Sequence, residues 1–383
     1  MSFATRARAG ITRYVDNDRD ALRDFQLRMF GPGSRQIDPD RSTWLFDRNP
    51  CRLPDGPGLW ICRRDGAVVG QQAEIPFELK VGDRTCRAAW AIDLMVDPAW
   101  RLRGVGPALV EAQLDVNHIV GGLNISEKGY RAYLRGGWTD LGIVPVYVRP
   151  LVARRALSVS PVPERWRRPA AAVATPALAA VGAVHGSLTR LAAARLESIE
   201  RFDERADDLW EVVAPRYQVL AVRDAPTLRW RWDQRPDRTR HHRFYLVRRG
   251  RVVGYAVVRF TAWSDERVAL IVDYLVAPGW VVPLFTRVAD HARAKGAVAV
   301  VCKTLNESAD RLLRSMAFRR FQRGPDPPIR FMVRFSDGDE QLRSALSRRR
   351  SWLLTAGDSD LEWGTASPAA GGARSDDVRG SDR

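Results

Sequence analysis

Cysteine is scarce in this 383-residue chain: Cys51, Cys62, Cys86 and Cys302 are its only four, and no two form a Cys-x-x-Cys pair. That argues against a disulfide framework and against a metal site, and it fits a reducing cytoplasm. Long apolar runs are missing too. Nowhere do eighteen or more strongly apolar residues follow one another, so no spanning helix is expected. The opening MSFATRARAGITRY has no apolar core of signal-peptide length. Lysine is almost absent, at four of 61 basic residues, so the net charge of +16 is carried by arginine. A coding bias toward arginine accounts for this without any function. An anionic partner, whether nucleic acid, a phosphorylated ligand or an anionic membrane surface, accounts for it as well. The length suffices for two domains with separate cores.

What is present is a repeat. Trp44 to Pro50 returns as Trp230 to Pro236, and Gly66 to Gly70 returns as Gly250 to Gly254. Asp93 to Trp100 returns as Asp273 to Trp280, and Ser126 to Trp138 returns as Asn306 to Phe318. The spacing from Asp93 to Ser126 equals that from Asp273 to Asn306. Four blocks in one order, two of them in register, mark a duplicated domain.

Hydrophobic periodicity orders each copy in the same way. In the first, a helix is expected over 18–29, a hairpin over 58–75, a strand over 88–96, a helix over 106–117, a strand over 119–125, a helix over 127–135 and a strand over 143–148. In the second, a hairpin is expected over 243–260, then strand 269–276, helix 282–295, strand 297–304, helix 308–316 and strand 329–335. The domain bounds that follow are 1–151, a linker 152–198, 199–335, and a tail 336–383. The linker opens on Pro161, Pro163 and Pro169 and is Ala-rich with flanking arginines. A pair of packing helices or an interfacial helix on a membrane would both suit it, although alanine is weakly apolar for the second. In the tail a helix is expected over 341–354, and 357–383 is expected to be disordered.

Chemistry concentrates after the strand 88–96, where Arg101-Leu102-Arg103-Gly104-Val105-Gly106 leads directly into a helix. Glycines let successive amides turn to one point, and the helix N-terminus adds partial positive charge, which together make an anion cradle fit for a pyrophosphate. A nicotinamide or flavin site is not expected: a hairpin precedes the loop, and no acidic residue ends a strand about twenty residues later.

In this setting the chain resembles the GNAT superfamily of acyl-CoA N-acyltransferases. Arg101, Gly104 and Gly106 match the family loop Q/R-x-x-G-x-G/A. Ser126, Gly129, Tyr133, Gly137 and Trp138 stand at the places of the family helix N-x-x-A-x-x-x-Y-x-x-x-G-F. The resemblance implies an α/β fold with mixed sheets: two tandem GNAT-like domains joined by an Ala- and Arg-rich helical linker. It implies that the backbone of Leu94, Met95 and Val96 meets the pantetheine arm of acetyl-CoA or another acyl-CoA. The amides of Leu102, Arg103, Gly104, Val105 and Gly106 would then hold the pyrophosphate, with Arg101 and Ser126 completing the site and no metal involved. Pro107 removes one amide donor. Tyr133 falls where the family tyrosine protonates the leaving thiolate, a role open to a phenol of pKa about 10; its other reading is a half-buried packing residue. Asp93 and Glu74 are the candidate bases for the acceptor amine. Asp93 also returns as Asp273 in a copy with no cradle, which favours a structural job for it, as for His118.

The second copy has Pro278 to Pro283 in place of the loop and Leu313 in place of Tyr133, while keeping Asn306. It should not bind CoA and should instead complete the acceptor cleft. Arg216, Tyr217, Arg223, Trp230, Arg231, Trp232 and Arg235 suit a glycan or nucleotide-linked acceptor, or nucleic acid. They equally suit a solvated basic face over a core tryptophan.

The expected activity is acyl-CoA-dependent N-acylation of a small-molecule or glycan-linked amine, an amino sugar among the options, in the cytoplasm or at the inner membrane face. A looser likeness to tandem GNAT proteins of bacterial polysaccharide and cell-surface biosynthesis points the same way. The alternatives are a Fem-like transfer from aminoacyl-tRNA, and a non-catalytic CoA-binding scaffold.

Overall fold

Asp65-Gly66 and Arg249-Gly250 turn the same way in the two copies, with φ of 50° and 79° and of 45° and 79°. Positive φ at both central residues gives the tight turn whose twist suits a β-hairpin, and each turn starts a sheet. The computed structural model describes residues 10–153, 164–191, 193–263, 266–321, 328–336 and 339–360. In chain order, β1 (Ile11–Arg13), β2 (Leu59–Arg64), β3 (Ala67–Val81), β4 (Arg84–Val96), β5 (Ile119–Leu123) and β6 (Thr139–Ile143) lie in the first sheet. β7 (Val146–Pro150) and β8 (Ala194–Ile199) lie in the second, and β9 (Val219–Ala221) returns to pair with β3. β10 (His241–Arg248), β11 (Arg251–Trp263), β12 (Glu266–Val276), β13 (Ala299–Leu305) and β14 (Arg319–Phe321) continue the second sheet. β15 (Arg330–Phe335) goes back to the first, and β16 (Leu354–Thr355) pairs with β13.

The copies therefore exchange their last strands. β7 pairs with β13 and β14, and β15 inserts between β5 and β6. Bounds at 151 and 335, drawn from the repeats, cut through both sheets. The expected strand 143–148 is two strands, because Pro145 has no N–H to give a ladder; β6 stays in the first sheet and β7 crosses to the other.

Each sheet splits at its centre. β4 and β5 run parallel and paired only from Ala88–Ala91 against Ile119–Gly122, and β12 and β13 only from Val268–Ile271 against Ala299–Cys302. Beyond these residues the strands part. In the first copy the parting starts at a bulge where Asp93 takes a left-handed φ of 53°, a conformation that aspartate tolerates better than most residues.

Among the described residues the helices of eight or more residues are α1 (Arg19–Phe30), α2 (Val105–Ala112), α3 (Glu127–Arg135), α4 (Glu164–Leu191), α5 (Arg205–Val213), α6 (Val281–Ala294), α7 (Glu307–Ser315) and α8 (Glu340–Ser347). The expected helix 106–117 ends early, at Ala112, and finishes as a tighter turn over Gln113–Asp115. Among its described residues the linker holds one helix, where a pair was one expectation: α4 runs through Pro169 and Pro176 and packs on α6. Pro161 and Pro163 lie outside the described residues. Among the described residues no helix is long and apolar enough to cross a membrane.

The joint of the copies is a reciprocal tryptophan pair. Trp44 and Trp230 stack at 5.3 Å and 20°, and each indole Nε1 donates to the other's carbonyl at 2.8 Å. Each follows a single helical turn capped by an aspartate, Asp38 or Asp224. Arg231 and Arg235 lie over these rings, Arg235 between Trp44 (5.3 Å) and Trp232 (5.2 Å). Trp230, Trp232, Arg223, Arg231 and Arg235 are thus buried, and the basic, aromatic stretch read as a cleft entrance is largely core.

The tail departs most from expectation. Trp352, Leu353, Leu354, Thr355 and Ala356 are at most 2% exposed, and the order continues to Asp360, past the expected onset of disorder at 357. Residues 361–383 lie outside the described residues.

Candidate functional site

β4 ends at Val96, and Asp97 turns the chain by accepting the amide of Ala99 at 2.9 Å. Arg101 Nε donates back to the carbonyl of Val96 at 3.0 Å, closing the loop on the strand. Leu102 and Gly104 both take left-handed φ, 63° and 81°, and α2 starts at Val105. The backbone therefore curls so that amides of 102–106 lie around a helix N-terminus, the arrangement that binds anions. Leu102 is fully exposed, and Arg103 lies over Trp100 at 5.1 Å.

Two glycines near this loop answer to different needs. A Cβ on Gly70 of β3 would meet Leu109 at 3.0 Å and Val105 at 3.2 Å, so Gly70 lets α2 sit on the sheet. A Cβ on Gly106 would meet only Val96, at an ordinary 3.7 Å. The fold does not need glycine at 106, whereas an anion approaching the backbone would. Gly106→Ala is expected to leave the melting temperature within about 2 °C while weakening acyl-CoA binding about tenfold; thermal unfolding and calorimetry check the two halves.

Met95 and Val96 pair with Gln71 and Gly70 on one edge, and their other edge faces the split. Carbonyls freed by the bulge are taken by side chains: Gln72 donates to Ile92 at 2.7 Å and Gln71 to Asp93 at 3.1 Å. Leu94, Met95 and Val96 thus lie beyond the stretch of β4 that pairs with β5. Tyr133 stands at the other wall. Its ring leans on Trp138 at 4.5 Å, and its Cε1 lies 3.4 Å from where Gly122 of β5 would carry a Cβ. Tyr133 is 7% exposed, burial pushes its phenol above the ordinary value, and no described residue hydrogen-bonds the hydroxyl. Ser126 accepts the amide of Gly129 at 3.2 Å and so caps α3.

On the opposite face a cavity of about 560 Å³ lies between α1, the 36–47 segment and the sheet, with Asp93 in its wall. Asp93 is 3% exposed in its side chain, and both oxygens are engaged. Oδ2 pairs with Arg41 at 2.8 Å; Oδ1 accepts from Gln36 at 2.8 Å and faces Arg35 at 3.6 Å. Taking a proton there would break a buried ion pair, which is costly, so this geometry suits an anchor of the cavity wall better than a base.

Strand alternation places Glu74 away from that cavity. Gln71 and Ala73 line it, while Glu74 on β3 is fully buried and accepts from Asn117 at 2.8 Å. Burial pushes its pKa up to about 8. The folded chain therefore binds a proton here that the unfolded chain, with an ordinary value near 4.3, releases. This contribution to stability is complete below about pH 4, and falls away as pH rises toward 8. Glu74→Gln is expected to flatten that decline, so that the variant gains on the parent between pH 5 and 8 in denaturant titrations. His118 is exposed, just before β5.

The second copy keeps the split and fills it. Thr355 and Leu354 pair with Thr304 and Leu305 of β13, and the amide of Gly357 donates to Val272 of β12 at 2.8 Å. Chain 354–357 thus occupies the gap that the first copy leaves between β4 and β5. Asp358 then pairs with Arg223 at 2.8 Å, and Arg223 with Asp273 at 3.3 Å. Arg231 donates to the carbonyl of Ser359, and Asp360 pairs with Arg35 at 2.5 Å, beside Asp93. The tail links the two aspartates that head the repeated blocks. Sequence reading missed this segment, Arg35, Gln36 and Arg41; the apolar run Trp352-Leu353-Leu354 in a polar tail was the signal available.

No family model and no curated protein matches the sequence. Solved structures do. A GCN5-related N-acetyltransferase from Anabaena variabilis matches with a TM-score of 0.57 at 14% identity, over 85% of this chain and 72% of its own. A conserved protein of unknown function from Enterococcus faecalis, a probable N-acyltransferase, gives 0.56 at 11% over 85% and 72%. N-myristoyltransferase of Saccharomyces cerevisiae with bound myristoyl-CoA gives 0.50 at 10% over 85% and 78%. Likeness at such identities is one of fold, and two similar split sheets joined by reciprocal tryptophans give this chain the GNAT fold.

Proposed function

We propose that the chain is an acyl-CoA-dependent N-acyltransferase whose first copy holds the acyl donor and whose second copy is structural. One observation carries this reading: the two splits differ. The second is closed by the chain's own strand, whereas the first has a glycine cradle at one end and Tyr133 at its wall.

An acyl-CoA supplies the activated acyl group as a thioester. Amides of Leu102 to Gly106 would hold its pyrophosphate, with Arg101 fixing the loop and the free edge of Leu94 to Val96 offering backbone partners to the pantetheine arm. As the acceptor nitrogen bonds to the acyl carbon and the carbon–sulfur bond breaks, Tyr133 hands its proton to the sulfur. A phenol is protonated at neutral pH and so has a proton to give. The acceptor amine would enter from the Asp93 cavity, whose wall of arginine, glutamine and aspartate side chains suits a hydroxylated amine such as an amino sugar. Asp93, with Arg35, Gln36 and Arg41, holds that wall; the amine's proton leaves to water, and water returns one to the Tyr133 phenolate once the thiol has left.

Tyr133→Phe is the direct test. Acetyl-CoA affinity should stay within about threefold, while thiol release with a panel of amino sugars and alkyl amines should fall about a hundredfold. Unchanged turnover would assign Tyr133 to packing alone, and CoA binding by the parent chain with no thiol release would leave a CoA-binding scaffold.

A further inference from the structure

Two cavities of about 770 and 560 Å³ open side by side and share Asn306, Glu307, Arg348 and Arg350. They lie where the first copy's crossing strand, α7 and the segment after α8 meet, and none of their walls belongs to the cradle or to the Asp93 cavity. Six arginines reach them from four parts of the chain: Arg216, Arg314, Arg320, Arg348, Arg349 and Arg350.

Their charges are poorly matched. Arg314 pairs with Asp310, which also accepts from Tyr147 at 2.5 Å. Arg349 is held by carbonyls rather than acids, donating to Leu141 at 2.6 Å and Ile143 at 2.5 Å. Arg216, Arg320, Arg348 and Arg350 make no ion pair with any described acid; of the wall carboxylates, Asp310 is taken by Arg314, Glu340 pairs with Arg343 outside the walls at 3.6 Å, and Glu307 is left to offset them. Burial, and then the nearby charge of Arg320, push the Arg349 guanidinium below its ordinary value. Like charges gathered in a concavity are a cost that a bound anion would relieve.

We infer that the joined cavities form a second phosphate-binding site, separate from the glycine cradle, for a small molecule or headgroup carrying a diphosphate. Guanidinium forks chelate phosphate oxygens in pairs, and several converging from different segments suit a compact polyanion. An RNA track would instead need a long stripe with exposed stacking rings; the one tryptophan in these walls, Trp352, is 2% exposed. The inference stands whether or not the first copy takes acyl-CoA.

The test uses the full chain saturated with CoA, so that the cradle is blocked, and titrates sodium pyrophosphate and then UDP by calorimetry. One further equivalent should bind, more weakly with rising salt. Arg348→Gln with Arg350→Gln, both at exposed positions, should weaken it at least about tenfold without moving the CoA affinity. Cosedimentation with phosphatidylcholine vesicles containing phosphatidic acid separates the sources: binding there but not to free pyrophosphate, lost in the same variant, would assign a lipid headgroup. No binding to either probe overturns the inference, as does an affinity equal in the double variant, or displacement of CoA by pyrophosphate. If CoA itself fails to bind, the titration on the untreated chain still decides, and the two failures remain distinct.

Discussion

A chain ended after Arg350 is expected to lose at least half of its resistance to denaturant. Trp352, Leu353 and Leu354 are 2%, 0% and 1% exposed, and each large apolar side chain so buried contributes about 1.5–3 kcal/mol. Their sum, roughly 5 kcal/mol or more, is comparable with the about 5–15 kcal/mol that holds a typical domain. The loss also opens the second split and strips Asp358 and the Thr355 hydroxyl from the buried Arg223–Asp273 pair. Gly357→Val tests the same seat without shortening the chain. A Cβ there would sit 2.6 Å from the Trp232 ring and 3.1 Å from Asp273, so this variant should also unfold earlier in urea. Equal midpoints for the parent and both variants would mean that the tail does not seal the second copy.

Gly104→Glu should have the opposite profile, with a small change in stability and a large one in binding. A residue other than glycine at φ 81° costs about 1–2 kcal/mol. Part of that is offset because a carboxylate at a helix N-terminus is favourable. The same carboxylate would stand among the amides proposed to receive the pyrophosphate. Acetyl-CoA affinity should fall about a thousandfold or more while the melting transition stays cooperative. Retained affinity would move the ligand away from the loop.

Features set by local chemistry could be read from the sequence. Asp65-Gly66 and Arg249-Gly250 turn because residues at both central positions must reach positive φ, and Gly104 takes its left-handed φ ahead of α2 for the same reason. α1 follows from Leu22 and Phe25 at helical spacing, and both are buried. The repeat itself is legible because Trp44 and Trp230 must each present an indole to the other.

Features set by distant partners could not be read. Nothing within Val146–Pro150 says that β13 rather than β5 will take it; the choice belongs to sheet edges more than a hundred residues away. Arg231 and Arg235 read as surface because arginine is rarely buried, yet the faces of Trp44 and Trp232 give their guanidinium groups somewhere to lie. The partners of Asp93 come from the 35–41 segment and reach it only once α1 has folded across the sheet. The tail's Gly, Ser and Asp content suggested disorder, and the burial of three apolar residues outweighs it.

Calorimetric titration of acetyl-CoA into the full chain tests the central claim most directly, because the two splits make different demands on stoichiometry. One equivalent per chain is expected, bound at the cradle of the first copy and absent in Gly104→Glu. No binding, or two equivalents per chain, would contradict a single open site beside a split that the chain has closed with its own strand.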